Sequence, residues 1–169
     1  MTGKGSVNHN SRKFHAKNTD PNRTHWNVEY CNEDIKDVYH ELFDDALKRY
    51  NDKQTRKDRK IDDYYEKIRS GKQEKLFHEV ILQIGDKDNM GSETMEGQLA
   101  AKILDEYMKG FQERNPTLRV FAAHLHLDEA TPHLHIDFIP YVTGSKRGLD
   151  TRVSLKQALS SLGFKGGSR

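Results

Sequence analysis

The sequence contains little cysteine and no long apolar run. Cys31 is the only cysteine among 169 residues, so the chain can form no intrachain disulfide, and a zinc site built on several thiolates is excluded. It has neither an apolar segment long enough to span a bilayer nor the hydrophobic segment of a signal peptide. These absences predict a protein of the reducing cytoplasm.

The net charge is small, but its distribution along the chain is uneven. The total is +2, and successive segments carry +3 (1–30), 0 (31–75), −6 (76–140) and +5 (141–169). An acidic centre between basic ends fits a metal-holding middle flanked by segments that meet phosphate. Ordinary solubility would explain the same pattern. The length predicts a single folded domain over residues 1–169.

The chemistry of the chain is concentrated between Ala123 and Tyr141, where four of the nine histidines lie. They form two His-x-His pairs, and the intervening positions are leucine or isoleucine. Residues two apart share one face of a β-strand, so a hairpin turning at 129–132 would bring the imidazoles together as a metal site. The alternative is an amphipathic hairpin whose polar face carries histidines by chance.

Hydrophobic periodicity predicts the other elements. Strands are expected at 25–31, 77–84, 118–127 and 133–141, with 77–84 inside the sheet. Helices are expected at 32–50 with Asn32 as N-cap, at 55–69, at 92–112 and from Ser154 onward. The apolar residues of the helix at 92–112 are predicted to be core residues: Leu99, Ile103, Tyr107, Met108 and Phe111. A hairpin with helices gathered elsewhere favours an α+β fold around an antiparallel sheet.

The two basic ends offer candidate phosphate contacts. Residues 1–24 are polar and basic, and they predict an ordered loop or a flexible arm, within which His9, Arg12 and His15 place imidazoles beside cations. A disordered basic tail is the competing interpretation. The loop at 143–149 is basic and contains glycine, so its backbone can approach a phosphate closely.

Two motifs resemble one known family. His126-Leu-Asp128-Glu129-Ala-Thr-Pro132-His133-Leu-His135 is similar to the H-x-D-E-x-x-P-H-x-H signature of the Mob/Pre plasmid recombination and mobilisation relaxases, the MobV class of the HUH endonucleases. His9-Asn10-Ser11-Arg12, followed by the segment at 18–25, resembles the first motif of that family, an H-N-x-R followed by D-P-x-R-[ST]-H. The resemblance extends over essentially the whole chain.

The resemblance implies a fold and an activity. The fold would be an HUH relaxase-like antiparallel sheet with helices mainly on one face. The activity would be site- and strand-specific DNA nicking and strand transfer at a plasmid or mobile-element origin of transfer. One divalent ion, Mn²⁺ or Mg²⁺, would be held by His126, His133 and His135, with Glu129 close by as an acid or base.

The resemblance also implies a covalent route. His9 would be the nucleophile and would form a 5′-phosphohistidine, while Arg12 would hold either His9 or the phosphate. The DNA contacts expected on this basis are Arg12, Lys13, Arg23, Lys146 and Arg147.

Two departures from the family pattern lead to further expectations. Only eight residues precede His9, where family members have a β-strand, so we expect the first strand of the sheet to be missing. The family continues into a helical region used for dimerisation, so we expect a domain shortened at both ends, with no membrane contact of its own. Two other functions stay open: an inactive relaxase that only binds origin DNA, and a metal hydrolase of small phosphoesters.

Overall fold

The structure is a computed structural model that describes residues 7–13 and 16–165. Its helices are α1 (Val7–Asn10), α2 (Ile35–Asp52), α3 (Tyr64–Ser70), α4 (Met95–Lys109), α5 (Phe111–Arg114) and α6 (Leu155–Ser161). Its strands are β1 (Val28–Asn32), β2 (His78–Gln83), β3 (Leu118–His126), β4 (His133–Val142) and β5 (Arg152–Val153). Short 3₁₀ turns cover Thr24–Trp26 and Lys57–Arg59.

The sheet has the strand order β1-β3-β4-β2, and β5 pairs with the end of β4. Strand β2 runs antiparallel to β4, from His78 opposite Phe138 to Gln83 opposite His133. Strand β1 runs antiparallel to β3 with an irregularity between Glu29 and Cys31. This architecture confirms the predicted α+β class and antiparallel sheet. The predicted loss of a first strand concerns residues that lie partly outside the described ranges.

Three details of the predicted elements were wrong. Strand β2 lies at the edge of the described sheet rather than inside it, and Ile81 is 49% exposed there. Helix α2 begins after Asp34, whose side chain accepts a hydrogen bond from the Lys36 amide, so Asn32 is not the cap. Helix α3 is shorter than predicted because Asp63 caps it at Tyr64. An apolar run is compatible with either a central or an edge strand, and several neighbouring residues can cap a helix. Tertiary contacts determine which of these possibilities occurs.

The chain divides into two compact units. The first unit comprises 1–32, 78–114 and 120–138, and its core includes Leu104, Phe121 and Leu125. The second unit comprises 33–77, 115–119 and 139–169, and its core is built on the contacting rings of Tyr39, Phe43 and Tyr64. Within the ranges that the structure describes, we find no helix with the length and hydrophobicity needed to cross a membrane.

Helix α4 buries a different face from the one predicted. Leu99, Ile103 and Tyr107 are 60%, 47% and 41% exposed, whereas Met108 and Phe111 are buried as expected. The buried face of α4 consists mainly of small residues: Gly97, Ala100, Ala101, Leu104 and Met108. Small side chains let the helix axis approach its neighbours closely. Close packing of the helix, and not the hydrophobicity of its side chains, therefore determines which face is buried.

The close approach of α4 is sharpest at Gly97. A Cβ atom there would lie 1.9 Å from the Gly91 carbonyl oxygen, a backbone atom that can move only with its loop. We expect Gly97→Ala to lower the free energy of unfolding by about 2 kcal/mol, despite the better helix propensity of alanine. Urea unfolding checks this, with the exposed Lys102→Ala on the same helix as control, expected within about 0.5 kcal/mol of the parent. An equally stable Gly97→Ala would contradict the close contact.

Candidate active site

Three histidines meet where β3 ends and β4 begins. His126 is the last residue of β3, and His133 and His135 share one face at the start of β4. One nitrogen from each ring lies within 4.8 Å of the others, and we call this cluster the histidine triad. The hairpin alternation predicted this arrangement, because the leucine and isoleucine positions between the histidines point to the opposite face.

Each ring of the histidine triad is oriented by an oxygen on the side away from the cluster. His126 Nε2 lies 2.8 Å from the Asn10 carbonyl, His133 Nδ1 lies 2.8 Å from the Thr131 carbonyl, and His135 Nδ1 lies 2.6 Å from a carboxylate oxygen of Glu79. These oxygens accept hydrogen bonds, so the facing nitrogens carry the ring protons. The opposite nitrogen of each ring therefore presents a lone pair to the centre of the triad.

The electrostatics of the triad suit a cation. Burial lowers the pKa of His126 to about 2 and also lowers the pKa of His133, so both rings stay neutral. His126 Nδ1 and His133 Nε2 are 3.4 Å apart, close to the separation of two nitrogens bound to one ion at about 2.1 Å. His135 Nε2 is buried without a hydrogen-bond partner among the described residues. This donor set fits a divalent transition metal.

A buried polar layer formed by Asn10 and two carboxylates from outside the motifs, Glu79 and Asp137, supports the triad. Asn10 Nδ2 donates to Glu79 Oε1 (2.9 Å) and to Asp137 Oδ2 (3.2 Å). Burial opposes ionisation of Glu79, but hydrogen bonds from His135 and Asn10 outweigh it and hold its pKa below the usual value. Burial and the nearby Glu79 raise the pKa of Asp137 to about 7. Sequence reasoning overlooked Glu79, although a carboxylate within the apolar run of β2 was a usable signal.

His9 lies beside the triad. It belongs to the short helix α1, and its ring centroid is 6.3 Å from that of His126. His9 Nε2 lies 3.7 Å from Glu129 Oε1 and 3.4 Å from the Arg12 guanidinium. Glu129 Oε1 is also 3.9 Å from His133 Nε2. The structure therefore brings together His9, Arg12, Glu129 and the triad, which the sequence separates by more than a hundred positions.

Arg12 is tied to Asp128 by a buried ion pair. Its Nε donates to Asp128 Oδ2 at 2.9 Å, its NH2 donates to Oδ1 at 2.5 Å, and the same NH2 donates to Glu129 Oε1 at 2.8 Å. Burial opposes ionisation of Asp128, but the Arg12 guanidinium and the Asn27 side chain interact with it and lower its pKa to about 2. This pair holds the segment that carries His9 against the hairpin turn.

We expect the Arg12 pair to matter for stability. Asp128→Asn keeps the shape of the side chain but leaves a buried guanidinium without its main counter-charge, so the free energy of unfolding should fall by about 3 kcal/mol at neutral pH. Asp58→Asn, which removes a carboxylate from the exposed pair with Arg56, should change it by less than about 1 kcal/mol. Chemical denaturation measures both variants. Equal effects would show that the Arg12 pair is no stronger than a surface pair.

The remaining predicted residues lie elsewhere. Lys13 is exposed beside Arg12. The Arg23 side chain turns inward, and its NH1 donates to the carbonyls of Leu127 and Glu129, so it braces the hairpin turn. Lys146 and Arg147 belong to the second unit. His15 lies outside the described residues.

His124 and His25 both lie outside the histidine triad. His124 lies on the same strand as His126 but interacts with Glu29 at 3.1 Å. His25 is exposed, and its ring lies edge-on to Trp26.

A family model described as a plasmid recombination enzyme, Mob_Pre, matches residues 4–162. The chain belongs to the Mob_Pre family. This confirms the resemblance given by the two motifs, and the match spans both compact units. A comparison with curated protein sequences found no match.

Solved structures of one Mob_Pre relative are similar to the chain. One is the MobM relaxase domain (MOBV; Mob_Pre) bound to 22 nucleotides of plasmid pMV158 oriT DNA, Mn-bound, at pH 5.5. It is 24% identical, with a TM-score of 0.53, and the match covers 98% of this chain and 86% of that chain. A second, Mn-bound with 23 nucleotides at pH 6.5, is 24% identical, covers 98% and 84%, and has a TM-score of 0.48. The first of these shows that the chain has the relaxase-domain fold.

Proposed function

We propose that this chain is a relaxase domain that nicks and religates one DNA strand at an origin of transfer. The observation that carries the proposal is the position of His9, 3.7 Å from Glu129 and beside the histidine triad. A nucleophile next to an acid or base and a metal site is the arrangement that phosphoryl transfer requires. The MobM relaxase domain, which is bound to oriT DNA and Mn in its solved structures, supports the same choice.

The metal would be one divalent ion, Mn²⁺ or Mg²⁺, held by His126, His133 and His135. When bound, it would withdraw charge from the scissile phosphate and stabilise the transition state. Imidazole ligands favour Mn²⁺ over Mg²⁺, which prefers oxygen. Glu79, Thr131 and Asn10 would keep the three rings in the orientation and tautomer that binding needs.

His9 and Glu129, which lie far apart in the sequence of the first unit, would carry out the covalent step. A ring nitrogen of His9 attacks phosphorus with its lone pair, a P–N bond forms, and the bond to the 3′ oxygen breaks. The Glu129 carboxylate takes the proton from the other ring nitrogen of His9 and passes it to the departing oxygen, which leaves as a free 3′ hydroxyl. The 5′ phosphate stays on His9, and the reverse reaction reseals the strand.

Arg12 and the other basic side chains would position the DNA. Arg12 is 3.4 Å from His9 Nε2 and is oriented by two carboxylates, so it can hold the nucleophile and contact a phosphate oxygen. Lys13, Lys146 and Arg147 are the further proposed contacts with the phosphate backbone, whereas Arg23 braces the hairpin turn.

A covalent-adduct assay tests the proposal without knowledge of the origin. The purified chain is incubated with Mn²⁺ and a randomised pool of labelled single-stranded oligonucleotides, and the products are separated on a denaturing gel. We expect a covalent protein–DNA species whose sequenced DNA shares one 5′-terminal motif. DNA binding without an adduct in any divalent metal would favour an origin-binding protein that does not cut. Turnover of a chromogenic phosphodiester that is unaffected by His9→Ala would favour a small-molecule phosphodiesterase.

A further inference from the structure

The second unit contains a cavity with an unusual lining. Its volume is about 540 Å³. Three cations line it (Lys146, Arg147 and Arg152), and the other polar side chains in its wall are hydroxyls and one amide: Thr117, Thr143, Ser145, Gln157 and Ser161. None of its lining residues is a carboxylate, although 13 of the residues in this unit are acidic. Such a lining suits an anion with several oxygen acceptors.

Arg152 is held in place without losing its charge. Its Nε donates to Ser145 Oγ at 2.9 Å, and its NH2 donates to Gln157 Oε1 at 3.0 Å. Both acceptors are neutral, so the guanidinium is oriented but not neutralised. A guanidinium fixed in this way keeps donors for a phosphate and loses less conformational entropy on binding.

The loop beside Arg152 is shaped to bring its backbone close to a ligand. Gly144 and Gly148 adopt φ values of +70° and +73°, which favour glycine, and the Ser145 amide donates to the Asp150 carbonyl at 2.9 Å. The Arg49 guanidinium donates to both oxygens of the Asp150 carboxylate, from Nε and from NH2, each at 2.8 Å. The nearest acidic residue in sequence is therefore already paired, and it does not compensate the cations of the loop.

A second cavity extends the same basic surface. Its volume is 760 Å³, it shares Arg147 and Arg152 with the first cavity, and it adds Lys67 and Lys72. Glu74 is the one carboxylate in its lining. The second unit as a whole has 19 basic and 13 acidic residues, a net charge of +6. Two adjoining cation-lined cavities fit a chain of phosphates better than they fit one small anion.

We propose that this surface, which we call the Arg152 surface, binds the sugar-phosphate backbone of the origin DNA outside the segment that is cut. It consists of Lys67, Lys72, Lys146, Arg147 and Arg152. The proposal rests on the proposed function, because it takes DNA to be the substrate. It extends that function by assigning the cut and the grip on the DNA backbone to different sets of residues.

DNA binding in EDTA tests the Arg152 surface independently of strand cleavage. Binding of a fluorescently labelled DNA hairpin of arbitrary sequence is followed by anisotropy over a range of salt concentrations. We expect the double variant Arg147→Gln/Arg152→Gln to weaken binding about 10-fold at low salt, and to reduce the slope of log K against log salt by about 2. The control Arg59→Gln removes an exposed charge from the same unit and should change the slope by less than half as much.

One further variant and one further ligand distinguish the proposal from its alternatives. Arg152→Lys keeps the positive charge but loses the planar pair of donors of the guanidinium, so it should bind DNA with an intermediate affinity. Thermal melting checks that each variant is folded. Inorganic phosphate that binds the parent while the double variant keeps its full DNA affinity would overturn the proposal in favour of a free-phosphate site. A loss in Arg59→Gln half as large as that in the double variant would also overturn it, because each removed charge would then have the same effect and net charge alone would explain binding. A failure of the nicking proposal would appear only in the adduct assay with metal.

Discussion

His9→Ala is expected to form no detectable covalent adduct with DNA. If the His9 nitrogen makes the new bond to phosphorus, no other group can replace it at that position, so the rate of adduct formation should fall by at least about 1000-fold. DNA affinity measured in EDTA should change little, because His9 is a single side chain of the interface. The measurement is the fraction of labelled oligonucleotide that migrates with the protein on a denaturing gel after incubation with Mn²⁺.

Two controls separate the nucleophile from other losses. His40→Ala removes an exposed histidine of α2 that pairs with Asp44, and it should form the adduct at the parent rate. Tyr30→Phe removes a hydroxyl that donates to Asp105, and it should also be active. The parent adduct should dissociate in mild acid, because acid hydrolyses the P–N bond of a phosphohistidine but not the P–O bond of a phosphotyrosine. An acid-stable adduct that persists in His9→Ala would assign the nucleophile to another residue.

His133→Ala is expected to abolish tight metal binding. Its Nε2 is one of three converging nitrogens, and two remaining ligands hold a divalent ion much less firmly, so affinity for Mn²⁺ should fall by more than about 100-fold. Metal at 100 times its dissociation constant should stabilise the parent by about 2.7 kcal/mol, and the variant should show almost none of this stabilisation. Titration by electron paramagnetic resonance gives the affinity, and thermal unfolding with and without Mn²⁺ gives the stabilisation.

His124→Gln is the matched control for the metal prediction. It removes another buried histidine from β3, but one that interacts with Glu29 and lies outside the triad. Its Mn²⁺ affinity should stay close to that of the parent. Glu79→Gln should fall between the two, losing about 10- to 100-fold, because it weakens only the orientation of His135. Loss of binding in His124→Gln equal to that in His133→Ala would place the metal elsewhere on this face.

The hairpin was predictable because its two signals are local. Alternating histidine and leucine mark a strand with two different faces, and the short polar segment between the two runs marks the turn. Helix capping at Ser154 was predictable for the same reason, and its side chain accepts from the Gln157 amide as expected. The helix at 92–112 was located correctly, but its buried face was not, because two stripes satisfy the same 3.6-residue period.

The sequence by itself determined the α+β class, the His-x-His hairpin and, through its two motifs, the family. Each of these depends on residues that are close together in the chain or on a short spacing. Only the tertiary structure decided that Glu79 orients His135, that Asp128 binds Arg12, and that small residues form the buried face of α4. These contacts join distant segments, and a buried polar group is satisfied by whichever partner the packed fold brings within hydrogen-bonding distance.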